Sequence, residues 1–187
     1  FKAKTTNGHV QTAGYKHDFG NANVFSIYSS NYTNTRFIEA RGFKYLVTIG
    51  SSQPYGRDSC MVSGPFTWST DANDGGAFSA SVLATDYASY NVSMDAIYDS
   101  ANQQIVVVTS KATTPSDQSL FAFDVAANGT VAYSHSLMNA GGSVAGQIRA
   151  ISTNTSGDIV WSEINTKKIY CAKNTGSAFT KGNTIEW

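Results

Sequence analysis

The sequence predicts an all-β protein, a β-propeller-like array of four-stranded antiparallel units. Three observations carry that expectation. Apolar runs of strand length recur in pairs: Tyr45-Leu-Val-Thr-Ile49 with Cys60-Met-Val62, Ile105-Val-Val-Val108 with Leu120-Phe-Ala-Phe123, and Ile159-Val-Trp161 with Lys168-Ile-Tyr-Cys171. The first members start 60 and then 54 residues apart, and a period of roughly 40 to 50 residues per four-stranded unit marks a propeller or a related array. A periodicity of two dominates, as in Ser119-Leu-Phe-Ala-Phe-Asp-Val125, and no window holds a convincing helical stripe. Turn signals punctuate these runs at short intervals: Gly75-Gly76, Asn128-Gly129, Ser156-Gly157-Asp158 and Thr175-Gly176-Ser177. The alternative fold is a β-sandwich or jelly roll whose strands merely recur at similar lengths.

Taken in order, residues 1–36 form an N-terminal segment or partial blade, and residues 37–187 form one domain of three blade-like units. The first unit comprises Phe37-Ile38, Tyr45–Ile49, Ser59–Val62 and Phe66–Trp68. Val82 to Ala88 follows it as a loop or outer strand, because polar interruptions break its short helical pattern. The second comprises Asp95–Tyr98, Ile105–Thr109, Leu120–Val125 and Val131–His135. Asn128-Gly129 between its last two strands is a hairpin signal, because both central residues of a type I′ turn need positive φ. The third comprises Ile148–Ile151, Asp158–Ile164, Lys168–Cys171 and Ala178–Lys181, with Thr184–Trp187 left over. Ala96-Ile97 of the second unit aligns with Ala150-Ile151 of the third. Propellers usually need four or more blades. Three units predict further chain, closure by oligomerisation, or a fourth blade assembled from the N-terminal segment and Ile185-Glu-Trp187. The chain opens at Phe1 rather than Met, which reads as a processed product or a fragment.

Composition excludes several function classes. Thirteen basic and thirteen acidic residues cancel, and charged residues are only 14% of the chain, against about 25% typically. Ser and Thr number 42 and Asn 14, so the surface is polar through hydroxyls and amides. With no Lys/Arg run there is no electrostatic footprint for nucleic acid or an anionic membrane. No apolar stretch approaches the roughly 18 residues of a membrane span. Cys60 and Cys171 match no metal spacing and read as two buried thiols, or as a disulfide in an oxidising compartment. Sequons at Asn31, Asn91, Asn128 and Asn154 are about as many as chance provides at this composition, so they do not argue for a glycoprotein.

The search for chemistry is mostly negative. His9, His17 and His135 are scattered. Asp71-Ala-Asn-Asp-Gly-Gly76 resembles a calcium loop but has Val82 where an EF-hand needs Glu. Gly141-Gly-Ser-Val-Ala-Gly146 shares only glycine content with a phosphate loop. Asp95, Asp99 and Glu163 are the carboxylates from which a glycosidase acid and base would be drawn. No catalytic residue, metal ligand or cofactor is therefore expected. Aromatic residues are the better clue: Trp68, Trp161, Tyr170 and Trp187, with Tyr28 and Tyr32 in a Ser/Asn/Thr-rich stretch, are candidates for sugar stacking or protein contact.

Lys168-Ile-Tyr-Cys-Ala-Lys-Asn-Thr-Gly-Ser-Ala-Phe-Thr-Lys-Gly182 is similar in rhythm to the blade motif of small fungal and bacterial fucose-binding propeller lectins, which carry Trp where Phe179 stands. The low-charge, Ser/Thr/Asn/Gly/Tyr-rich texture resembles bacteriophage tail and fibre proteins, some of which build nozzles from propeller domains. These resemblances imply a non-enzymatic structural and binding protein of a viral tail or other extracellular assembly. Its partners would be protein subunits, including copies of itself, or a cell-surface glycan, and its location extracellular or on a virion. A carbohydrate-binding lectin is the rival reading, and a glycan-cleaving enzyme on a propeller scaffold the third.

Overall fold

The computed structural model describes residues 16–18, 24–28, 35–52, 57–67, 77–78, 81–83, 91–111, 118–141, 148–163 and 168–186. They are all-β, arranged as several small antiparallel sheets, with no helix among the described residues. The first sheet contains β1 (Lys16–Asp18), β2 (Val24–Tyr28), β3 (Thr35–Ala40), β4 (Phe43–Ser52) and β5 (Arg57–Ser63). A separate two-stranded ribbon pairs β6 (Phe66–Thr67) with β7 (Ala77–Phe78), and β8 (Ser81–Leu83) returns to the first sheet beside β5. The second sheet runs in simple sequence order: β9 (Asn91–Asp99), β10 (Gln104–Lys111), β11 (Gln118–Val125), β12 (Val131–Leu137). The third repeats that meander with β13 (Ile148–Thr153), β14 (Asp158–Glu163), β15 (Lys168–Asn174) and β16 (Phe179–Lys181), and adds β17 (Ile185–Glu186).

All three strand pairs expected from the apolar runs form antiparallel ladders, β4 with β5, β10 with β11 and β14 with β15. Three details differ from expectation. Phe66-Thr67 does not complete the first sheet; β8 does, through Val62 opposite Val82. Ile185-Glu186 does not join the N-terminal segment; it pairs with Lys168 and Ile169 of β15, on the edge that β16 leaves vacant. The N-terminal strands extend the first sheet through β2 on β4.

The three sheets stack face to face, with the second in the middle. Tyr45, Val47, Cys60 and Val62 of the first sheet pack on Ile105, Val107, Phe121 and Phe123 of the second. The opposite face of the second sheet, Val106, Val108, Leu120 and Ala122, packs on Ile159, Trp161, Tyr170 and Ala172 of the third. A sheet covered on both faces needs apolar residues at consecutive positions, which explains Ile105-Val-Val-Val108 and Leu120-Phe-Ala-Phe123, all at most 1% exposed. Each of these side chains except Ala122 contributes roughly 1.5–3 kcal/mol of transfer free energy. β9, the first strand of the second sheet, lies against β3 of the first sheet and β13 of the third.

Hairpin turns tie the layers together. The turn between β11 and β12 is not type I′: of Asn128 and Gly129 only Gly129 takes positive φ, at 84°. Ala126 and Thr130 close the loop, and Gly129 N–H donates to Ala126 O at 3.0 Å, so a longer turn places one left-handed residue before β12. Gly129 O accepts the Tyr45 hydroxyl of the first sheet at 2.7 Å, and a Cβ at Gly129 would lie 2.9 Å from the Phe43 ring. Burial pushes the Tyr45 phenol up to about 12, with Tyr98 adding to the shift, so it remains a donor across the neutral range.

β-Bulges in β9, β12 and β13 interrupt the registers and set which side chains face which layer. In β13 the register passes from Ile148 opposite Glu163 to Ala150 opposite Ser162, leaving Arg149 extra. Ile148 and Ile151, three residues apart, therefore both enter the core. Ile151 opposes Trp161 as Ala96 opposes Val107, so the structural partner of Ala96 is Ile151 rather than Ala150.

Candidate functional site

Trp161 and Tyr170 come together, but inside the molecule. They oppose each other on β14 and β15, on the face that also buries Ile159 and Ala172. Their rings stack with centroids 5.8 Å apart and planes at 20°, and they are 1% and 4% exposed. The indole N–H donates to Gln118 Oε1 of the second sheet at 2.6 Å, as a buried tryptophan requires. Both side chains are thus core and offer no face to solvent. Tyr28 is the last residue of β2, and its side chain lies outside the described residues, as do Tyr32, Trp68 and Trp187. So do His9, the Asp71–Gly76 stretch and the glycines beyond Gly141.

Asp95 and Asp99 are engaged structurally, and the Glu163 side chain lies outside the described residues. Asp95 Oδ1 accepts from Arg36 Nε at 2.6 Å and from its neighbour's backbone, Ala96 N–H, at 2.9 Å. Its Oδ2 accepts Ile151 N–H at 3.2 Å. One side chain on β9 thereby joins β3 and β13. Beside it Ser93 Oγ accepts Ile148 N–H at 2.7 Å and shares a hydrogen bond with Ser110.

Asp99 is fully buried at the other end of β9. Three N–H donors replace its water: Ala101 N–H at 3.0 Å, and the amides of Asn102 and Asn174, each at 2.8 Å. Asn174, on β15, also donates to Gln104 Oε1 at 2.8 Å and accepts Gly176 N–H at 3.1 Å. Gln104 Nε2 in turn reaches Asp124 Oδ1 at 2.6 Å, Gly176 O at 2.9 Å and Ser134 Oγ at 3.2 Å. The result is a polar seam stitching the second sheet to the third. Sequence reasoning missed it, because Asn102, Gln104 and Asn174 look like turn residues. The available signal was register: Asn174 follows Tyr170 and Ala172 at a spacing of two, and so shares their inward face.

Among the described residues, no group of three or more His, Cys, Asp or Glu is placed to hold a metal ion. Both cysteines are free thiols, Cys60 in the seam between the first and second sheets and Cys171 half-buried on the third. Cys171 Sγ donates to Asn183 O at 2.6 Å.

The feature with capacity for recognition is the outward face of the third sheet. Register places Ser152, Val160 and Cys171 in one row across it, and Ala150, Ser162, Ile169 and Ile185 in the next. These rows match Ile97, Val106 and Ala122, then Val108 and Leu120, on the face of the second sheet that receives the third. The second sheet's face is covered. On the third, Val160 is 38% and Ile185 55% exposed. Asp158 and Lys173 flank the rows as an ion pair at 3.1 Å. No helix among the described residues is long and apolar enough to cross a membrane. No protein-family model, curated protein or solved structure matches this chain.

Proposed function

We propose that this chain is a non-enzymatic structural and binding protein whose stacked sheets are blades of a propeller-like array, acting through contact with other protein subunits in an extracellular or viral assembly. One observation carries the reading. The third sheet presents outward the register-equivalent rows that its predecessor uses to bind a neighbouring sheet, and there Val160 and Ile185 stand exposed. A face-to-face continuation by another subunit would bury Val160, Ile169 and Ile185 as Val106 and Leu120 are buried here. The contacts of β9 with β3 and with β13 support the array, since successive blades of a propeller pack against one another around a common axis. Low net charge removes the long-range repulsion that opposes association of like subunits.

The test is sedimentation equilibrium of the full chain alongside Val160→Lys and Ile169→Lys variants. Concentration-dependent association of the parent, abolished by either substitution with the fold retained, supports the proposal. A parent that stays monomeric throughout, or variants that associate as well as the parent, refutes it. A glycan array on the same samples addresses the lectin: a specific sugar hit by a monomer would replace the subunit-contact reading.

A further inference from the structure

We propose that His135 is an acid-sensitive latch between the second and third sheets. The inference does not depend on the assembly reading, since it concerns an internal seam.

A β-bulge aims this histidine. Along β12, Val131 and Tyr133 oppose Val125 and Phe123 and face the first sheet. Simple alternation would send residue 135 to that face too. The register slips between Ala122 and Phe123, so Ser134 becomes the extra residue and His135 opposes Ala122, on the face toward the third sheet. Bulges are a standard way to redirect one side chain without breaking a strand. The redirected ring meets Phe179 of β16 with centroids 4.6 Å apart and planes at 53°. Phe179 is itself in the buried cluster between the two sheets.

The ring's polar atoms are unequally served. Nδ1 lies 3.1 Å from Ser134 Oγ, the hydroxyl that also accepts from Gln104 of the polar seam. Nε2 is buried and has no hydrogen-bond partner among the described residues. With its proton on Nδ1, the neutral ring presents only a lone pair at Nε2. Protonation there creates a charged N–H donor in a buried position, where the Asn174 side chain offsets only part of the cost of burial. Burial accordingly lowers the His135 pKa below its ordinary 6.5, opposed in part by Asn174 and Asp124.

The charged groups on the elements packed against the ring are Asp124 on β11, Asp99 reached through Asn174 of β15, and Lys181 on β16, whose ammonium donates to Asn139 O. Asp124 is engaged by Gln104, and Lys181 is a cation, so no unengaged acid stands ready for a new proton. The sign follows. The unfolded or opened chain takes up the proton first, so the latch is closed above about pH 6.5 and weakens as pH falls below it.

The test is hydrogen–deuterium exchange of β12 and β16 amides at pH 5.0 and 7.5, corrected for intrinsic rates, in the parent and in His135→Phe. We expect opening of this seam to rise about three- to tenfold at the lower pH in the parent, and to show no such rise in His135→Phe, with β4 and β5 unaffected in both. Direct titration of the parent by histidine side-chain NMR needs no variant, and should place His135 below 6.5. A titration above that value, or an undiminished pH response in His135→Phe, overturns the proposal.

Discussion

Asn174→Leu is predicted to be among the most destabilising single substitutions in the polar seam. Asn174 is 1% exposed, and its amide serves three partners: Asp99 Oδ2, Gln104 Oε1 and Gly176 N–H. Leucine has nearly the same shape and satisfies none of them. Gln104 Oε1 and Gly176 N–H lose the side-chain partners described for them, at about 1–3 kcal/mol for each buried orphan. Asp99 keeps Ala101 N–H and Asn102, so its loss is partial, but it is a carboxylate at zero exposure. The apolar burial that leucine gains offsets part of this. A net loss of about 3–5 kcal/mol follows, a large share of the roughly 5–15 kcal/mol that domains possess. Urea unfolding followed by tryptophan emission measures it. Thr175→Ala is the control: it removes one exposed side-chain hydrogen bond, to Ala178 O at 3.0 Å, and should cost under about 1 kcal/mol. If Asn174→Leu costs no more than this control, the seam is not cooperative and the reasoning fails.

Two further outcomes are expected. Thr109 and Ser119 oppose each other across β10 and β11, are fully buried, and leave both hydroxyl oxygens without a partner among the described residues; Thr109→Val should therefore stabilise the chain by about 1 kcal/mol in urea unfolding, and a loss would show that the hydroxyl is bonded. Burial drives the Cys60 thiol well above the usual cysteine range, whereas Cys171 is only half-buried. One thiol per native chain should react with a thiol reagent and two after unfolding; two reacting natively would contradict the placement of Cys60.

The strands were legible because their signals are local. An apolar run buried on both faces differs from one buried on a single face, and Ile105-Val-Val-Val108 says so without any alignment. Turn glycines were legible for the same reason, although the conformation at Asn128 was not: a type I′ turn and a longer loop ending in Gly129 differ only in how far the ladder zips. Bulges were invisible. The slips at Arg149 and Ser134 change no composition, yet each reverses the faces of every residue on one side of it. That is why Ala150 was aligned where Ile151 belongs, and why His135 looked incidental. Trp161 shows the opposite error. Its parity with Ile159 already placed it inward, but aromatic residues in a polar chain invite a surface reading.

The two seams also differ in how firmly they specify one arrangement, and that difference bears on the open face. Between the first and second sheets the contact is mainly apolar, with Tyr45 to Gly129 and Arg36 to Asp95 as directional bonds. Apolar surfaces tolerate small slides at little cost. Between the second and third, Asp95, Asp99, Gln104, Gln118 and Asn174 reach across to the other sheet, or are reached from it, by hydrogen bonds. A slide of one residue there would strand several buried polar groups at once, a penalty of several kcal/mol. The outward face of the third sheet has Val160, Ile169 and Ile185 but not this fitting, because Asp158 and Lys173 are paired with each other on the same sheet. A partner docking on Val160 and Ile169 would gain burial without fixed register. Whatever fixes the register of such a contact must then come from the partner, so charge substitutions at Asp158 and Lys173 should affect association far less than Val160→Lys.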